Sequence, residues 1–294
     1  MDNKDIKKGM RKRKAVQFGF GLLQNAYIKG FLDKSIYSGR LKKLCVPGLN
    51  CHSCPGALGA CPIGGLQSLF DGRRRQTGFY VLGWLAMAGI LAGRFVCGWL
   101  CLFGLIQELL YMIPVPKITV PEKADRKLRY LKYVILALFV VVLPLAYRGG
   151  SGSGVPFFCK YICPAGTLEA GVPLVLLWDG MRGAVGGLFL WKSTLLVLTL
   201  AASMMIYRPF CRYICPLGAF YALFQKISFT RLALDKSRCI DCGRCTAVCK
   251  MGVNVTHDPN SAECIRCGEC VSACPEKALH FGYDGRVRPA DGEA

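Results

Sequence analysis

The sequence predicts an α-helical integral membrane protein, with about four membrane-crossing helices in two parallel repeats and a small α+β domain at the C-terminal end. Three observations carry that expectation. The 294 residues are 53% hydrophobic and only 19% charged, with long apolar stretches, a balance shifted away from ordinary soluble chains. A cysteine motif recurs at one constant offset behind two of those stretches. Eight of the eighteen cysteines also crowd into one run near the C-terminus.

In chain order, residues 1–14 read as a basic cytoplasmic arm with no small-residue cleavage site behind a short apolar core. The first membrane repeat spans 15–127. Its first span, Ala15 to Tyr37, is the weakest, because Lys29, Asp33 and Lys34 interrupt it; an amphipathic surface helix is the alternative. Leu44 to Phe70 is uncharged yet rich in helix breakers, and such backbone survives near a membrane only where protein covers it. Thr77 to Gly93 is the second span, followed after Arg94 by an apolar helix to Ile113. The second repeat, 128–230, contributes Leu131 to Tyr147 and Gly186 to Tyr207, with Lys192 close enough to one end to snorkel. Ser151-Gly152-Ser153-Gly154 reads as a flexible linker, 231–281 as the C-terminal domain and 282–294 as a flexible tail. The net charge of +20 fits basic clusters beside apolar spans, and no aromatic-basic module points to nucleic acid. Arg73, Arg74 and Arg75 place some of that charge on the side opposite the expected cytoplasmic face.

The C-terminal run is Cys239-x2-Cys242-x2-Cys245-x3-Cys249, then Cys264-x2-Cys267-x2-Cys270-x3-Cys274-Pro275. It is the double pattern of bacterial-type ferredoxins, in which thiolates hold two [4Fe–4S] clusters and the fourth cysteine of each run crosses to the other cluster. Cys239, Cys242, Cys245 and Cys274 are therefore expected around one cluster, and Cys264, Cys267, Cys270 and Cys249 around the other. Zinc prefers separated C-x2-C pairs instead. Thiolate sites of this kind also argue against an oxidising compartment.

The repeat brings in a second set. Arg94-x2-Cys97-x3-Cys101-x2-Gly104 matches Arg208-x2-Cys211-x3-Cys215-x2-Gly218, and Cys61-Pro62-x-Gly64-x-Leu66-Gln67 resembles Cys163-Pro164-x-Gly166-x-Leu168-Glu169. Two spans per half give both halves the same orientation. Spacing of i, i+4 puts each pair on one helix face, so Cys97, Cys101, Cys211 and Cys215 together could hold a third [4Fe–4S] cluster. Arg94 and Arg208 either offset its charge or snorkel to headgroups. Of the other cysteines, the local set Cys45, Cys51, Cys54 and Cys61 could hold a fourth cluster. So could the symmetric set Cys54, Cys61, Cys159 and Cys163, which the repeat favours, on the face opposite the third. Alternatively Cys159 and Cys163 form a disulfide. No histidine lies inside an apolar span, which excludes a bis-histidine haem b, and no Gly-rich nucleotide motif follows a strand. Gln107 and Glu108 are the best intramembrane polar groups, and an ionisable residue there is a functional candidate.

The Arg-x2-Cys-Gly-Trp-x-Cys element at Arg94 to Cys101, the Cys-x3-Cys-Pro elements at Cys159 and Cys211, and the C-terminal double run together resemble a known family. These are the polyferredoxin membrane proteins that include the NapH-type quinol dehydrogenase subunit and the C-terminal part of the nitrous-oxide regulator NosR. The resemblance covers about Thr77 to Phe281. It implies four spans, a cytoplasmic ferredoxin domain, and electron movement between the quinone pool or cytoplasmic donors and a partner across the membrane. Leu102 stands where the family usually has proline, and the Cys45 to Pro62 segment is richer than in the nitrate-reductase subunit, so the substrate does not transfer. The expectation is a multi-pass iron–sulfur electron-transfer protein of the cell membrane, an oxidoreductase component of anaerobic metabolism with both termini cytoplasmic. Its partners would be lipid and redox proteins or complex subunits, with quinone as a further candidate. Rivals are a quinol dehydrogenase with its own site near Arg94 and Glu108, and a redox sensor or assembly factor.

Overall fold

The computed structural model describes residues 3–70, 75–147, 155–183 and 185–283. The Ser151–Gly154 linker, Arg73, Arg74 and the tail from residue 284 lie outside the described residues. Two helices, Glu122–Ala146 and Gly187–Met205, are long and apolar enough to cross a membrane, yet only 22% and 11% of their apolar windows are buried inside the protein. Val134, Val142, Leu190, Val197 and Leu198 are exposed along them. The first widens to π-type turns over Leu136–Val142, because Pro144 has no N–H for the carbonyl four residues back. These helices contain the expected spans Leu131–Tyr147 and most of Gly186–Tyr207.

The other two expected spans differ. Thr77–Gly93 lies on a shorter apolar helix, Gln76–Ala92, which stops where Gly93 turns into the left-handed region at φ +53°. Ala15–Tyr37 is not one helix. A helix over Asn3–Gln24 takes in most of the expected basic arm. The Asn25 side chain donates back to the Gly21 carbonyl at 3.0 Å, and the chain resumes only as a single turn, Lys29–Leu32. Arg13 and Gln17 on this first helix are fully buried. They face the cysteine-bearing turns, with Gln17 Nε2 donating to the Cys101 carbonyl at 3.1 Å.

The C-terminal domain is framed by antiparallel strands Thr230–Leu234 and Leu279–Tyr283, with Leu232 opposite Phe281. Leu232 and Leu279 anchor it in the core, and the cysteine loops lie between the strands. The domain is docked on the helical part. Trp99 Nε1 donates to the Arg266 carbonyl at 3.0 Å, Arg266 Nη1 to the Ala92 carbonyl at 2.8 Å, and Gln225 Nε2 to the Cys264 carbonyl at 2.8 Å. One buried core runs through both parts and includes cysteines from each.

Candidate functional site

All eighteen cysteines are free thiols, so Cys159 and Cys163 do not form the alternative disulfide. The eight C-terminal cysteines line two cavities. One is lined by Cys239, Cys242, Cys245 and Cys274, the other by Cys249, Cys264, Cys267 and Cys270. This is the crossed arrangement that the spacing implies. The two loops repeat each other in backbone as well as sequence. Asp241 and Arg266 stand at φ +49° and +53° just before the second cysteine, and Gly243 and Gly268 at +69° and +80° just after it. A side chain at either glycine would strain that turn.

The cysteines of the helical part also gather. Each of Cys97, Cys101, Cys211 and Cys215 lies within electrostatic reach of the other three. Their backbone differs from the one-face helix that i, i+4 spacing implies. Cys97 sits in a short helix, Phe95–Trp99, but Cys101 is extended at ψ 113° and precedes a new helix, Leu102–Tyr111. Cys215 is extended in the same way before Pro216–Phe224. Proline disfavours the helical conformation in the residue before it, while its own fixed φ suits the first helical position. Leu102 fills that position without changing the turn. The second cysteine of each pair thus becomes a helix N-cap. The Gly218 N–H donates to Cys215 Sγ at 3.4 Å, and the Gly166 N–H donates to Cys163 Sγ at the same distance. A thiolate there faces free N–H groups and the positive end of the helix.

A third residue type completes the pattern: Gln107, an intramembrane polar candidate, and Gln67, part of the Cys61 motif, both contact cysteine sulfur, a role not evident from the sequence. Gln107, six positions after Cys101, donates to Cys211 Sγ at 3.1 Å and accepts from the Phe210 N–H at 3.2 Å. Gln67, six positions after Cys61, does the same to Cys159 Sγ at 3.2 Å and the Phe158 N–H at 3.1 Å. The constant six-residue offset was the available signal. Among the six remaining cysteines, Cys61, Cys159 and Cys163 come together as expected, but with Cys51 rather than Cys54. Cys54 faces the backbone of Gly56 and Ala57, near Lys42. Nor is this set on the far face. A Cβ on Gly48 would lie 3.3 Å from Cys101 Cα, and one on Gly166 3.6 Å from Cys51 Sγ, so only two residues of chain, Leu49 and Asn50, separate the two groups.

Arg94 and Arg208 do not snorkel; both are fully buried. Arg94 donates across the pseudo-twofold to the Cys211 carbonyl at 3.3 Å, and Arg208 to the Cys97 carbonyl at 2.6 Å. Each also holds a buried carboxylate: Arg94 pairs with Glu263 at 2.9 Å and Arg208 with Glu108 at 2.8 Å. Lys132 joins Glu263, while Arg13 and the Tyr207 hydroxyl join Glu108. Burial pushes the Glu263 carboxyl up, but Arg94 and Lys132 outweigh it and hold it below the usual range. Glu108 and Arg94 are therefore both held in buried ion pairs.

The donor set fits iron–sulfur clusters. Burial pushes the Cys51, Cys159 and Cys267 thiols up to about 12, so they ionise at neutral pH only against bound metal. Among the described residues no three His, Cys, Asp or Glu side chains converge tightly enough to share a single metal ion. Four thiols gathered around one site suit a [4Fe–4S] cluster, which offers each thiolate its own iron.

Comparison with known proteins agrees. A family model described as a 4Fe-4S binding domain matches residues 76–121, 132–172 and 188–233, and one described as a 4Fe-4S dicluster domain matches 238–279. The chain is 34% identical over 200 residues to "Uncharacterized protein MJ0750" of Methanocaldococcus jannaschii, covering 66% of this chain and 74% of that protein. It is 34% identical over 179 residues to "Uncharacterized protein MJ0749" of the same organism, covering 59% and 58%. To "Putative electron transport protein YccM" of Escherichia coli it is 27% identical over 137 residues, covering 46% and 34%. The matched region thus spans less than two thirds of MJ0749 and about a third of YccM. No solved structure matches the chain.

Proposed function

Since the chain belongs to the same family as MJ0750 and carries ferredoxin-type 4Fe-4S domains, we propose that it is a membrane-bound electron-transfer protein. In this reading a cytoplasmic ferredoxin domain passes electrons to a centre held by Cys97, Cys101, Cys211 and Cys215, and from there to a membrane or outer-face redox partner. The exposed apolar surfaces of Glu122–Ala146 and Gly187–Met205 favour burial in lipid. The shorter apolar helices would complete the membrane part, with both termini on the cytoplasmic side. The clusters, when bound, take up and release single electrons. The chain's own contribution is to hold them close together, exclude water, and place N–H groups and guanidinium charge beside the sulfurs.

One observation carries the proposal. Ile265, between ligand candidates Cys264 and Cys267, rests its carbonyl on Gly98, the residue after Cys97, so closely that a Cβ there would meet it at 2.2 Å. A ferredoxin loop seated directly on the second thiol ring is an arrangement for conduction. The combination of double ferredoxin and Cys-x3-Cys elements is also what the NapH-type resemblance rests on, although the buried state of Arg94 and Glu108 favours a relay over a quinol site beside them.

The test is electron passage in liposomes, from reduced viologen outside to a redox acceptor in the membrane or lumen. Cys211→Ala should leave both ferredoxin clusters reducible and abolish passage. Undiminished passage in that variant, or about eight irons per chain in the parent protein, would sink the relay.

A further inference from the structure

The thiols of Cys51, Cys61, Cys159 and Cys163 gather, each within electrostatic reach of the other three; Cys45 also lies near Cys61. The family model covers only Cys159 and Cys163 of these. The local sequence shows why the first half of this group is irregular. In the regular module the first cysteine stands four residues before the second, as in Cys97/Cys101, Cys159/Cys163 and Cys211/Cys215. Four residues before Cys61 is Ala57, so that module lacks its first thiol.

The cross-contacts identify the substitute. Gln107 reaches from the Cys101 module to the first cysteine of its partner, Cys211, and Gln67 reaches from the Cys61 module to the first cysteine of its partner, Cys159. The return contact is made by Glu169, six positions after Cys163, whose Oε2 accepts from the Cys51 N–H at 2.6 Å. Cys51 therefore occupies the place that a first cysteine fills elsewhere. The second cysteines agree: the Gly64 N–H faces Cys61 as the Gly166 N–H faces Cys163.

This group and the Cys97 ring share a strip of backbone. The Leu49 N–H faces Cys101 Sγ, and the adjacent Asn50 N–H faces Cys61 Sγ. Tyr221 fixes the strip by donating from its hydroxyl to the Pro47 carbonyl at 2.8 Å.

We propose that Cys51, Cys61, Cys159 and Cys163 hold a further [4Fe–4S] cluster, bridged to the one at the Cys97 ring by the backbone of Leu49, whose two flanking amides each face one group, and that Cys45 and Cys54 are not ligands. This rests on the Cys97 ring being a cluster site. Cys45 lies near Cys61 but is fully buried with its thiol on the neighbouring Val46 carbonyl at 3.6 Å, and Cys54 faces the Gly56–Ala57 backbone, sharing Lys42 with Cys51. The two clusters would sit side by side, separated by the backbone of one residue and two N–H···S contacts.

The experiment is metal and sulfide counting on the full chain purified without oxygen, with electron paramagnetic resonance of the reduced protein. At four irons per cluster, about sixteen are expected in the parent chain, about twelve in Cys51→Ala and in Cys159→Ala, and about sixteen in Cys54→Ala and Cys45→Ala. The parent should show a spin-coupled signal from neighbouring clusters that Cys51→Ala lacks. Loss of four irons from Cys54→Ala with none from Cys51→Ala overturns the ligand assignment. About twelve irons in the parent, or one zinc in place of four irons, overturns this site while leaving the Cys97 ring. About eight irons overturns the relay as well. Should the cysteine variants not accumulate, the parent's iron count and spin coupling decide the matter alone.

Discussion

Replacing Gly98 by alanine probes the seam between the ferredoxin domain and the membrane part. The added Cβ would lie 2.2 Å from the Ile265 carbonyl oxygen, when ordinary contact begins at 3.4 Å. The obstacle is backbone on both sides, so no side chain can swing away. The ferredoxin loop must retreat by about 1 Å, against the anchors from Trp99 to Arg266 and from Gln225 to Cys264. Forcing an extra methyl into packed structure costs about 1–3 kcal/mol, or about 5- to 150-fold in the ratio of docked to undocked domain. Hydrogen exchange of the amides from Ile265 to Gly268, read by mass spectrometry on the detergent-solubilised protein, should quicken by a factor in that range. Gly83→Ala is the control, because nothing lies within 4 Å of its Cβ. If exchange in Gly98→Ala matches the control, the two parts are not held in this register, and the contact on which the relay depends is not real.

Other outcomes follow from single contacts. Glu108→Ala leaves Arg13 and Arg208 buried without their carboxylate and should cost about 3–5 kcal/mol; an unchanged midpoint in thermal unfolding of the detergent-solubilised protein would contradict that. Gln107→Leu removes one N–H···S bond to Cys211. At about 1 kcal/mol for the bond, and 59 mV per tenfold for one electron, the potential of that centre should fall by about 40 mV in a redox titration, whereas a shift under about 10 mV would count against the contact. Cys249→Ala should remove about four irons from the Cys264 ring and stop passage into the membrane part, since that ring is the one seated on Gly98. Cys274→Ala should remove the same number from the outer ring, and iron loss from the wrong ring, read by the surviving resonance signal, would refute the crossing.

The features legible in the sequence were those written as spacing. The crossed ferredoxin rings follow from x2, x2, x3, and the Cys97 ring follows from two motifs at one offset. The choice of Cys51 over Cys54 had no such record, because these residues lie in a loop without periodicity and only the Glu169 contact to the Cys51 N–H separates them. The i, i+4 premise groups the four cysteines that the structure brings together, but not through a shared helix face. Proline after Cys163 and Cys215 keeps those cysteines out of the helix, and helix capping rather than a shared face brings the pairs together. Arg94 and Arg208 stay open in the sequence between offsetting cluster charge and anchoring at headgroups, because their carboxylate partners, Glu263 and Glu108, are distant in sequence.

Those arginines also bear on whether the Cys97 ring binds a cluster at all. Arg13, Arg94, Lys132 and Arg208 are all essentially inaccessible to solvent. Their buried carboxylates are Glu108 and Glu263, with Glu269 farther off at 3.7 Å from Arg13 and shared with Lys250. Isolated charge in a low-dielectric interior is too costly to keep, and arginine does not neutralise itself by losing a proton. These four cations against two close carboxylates leave positive charge that neutral thiols cannot balance, and the equally buried Arg266 adds to it. Both guanidinium groups that bridge the repeats lie against the cysteines, Arg94 facing the Cys97 thiol. Ionised, metal-bound sulfur would supply the missing negative charge in the place where the surplus lies. The net +20 of the chain is thus in part an interior feature, and the cluster and the buried arginines should be lost or kept together.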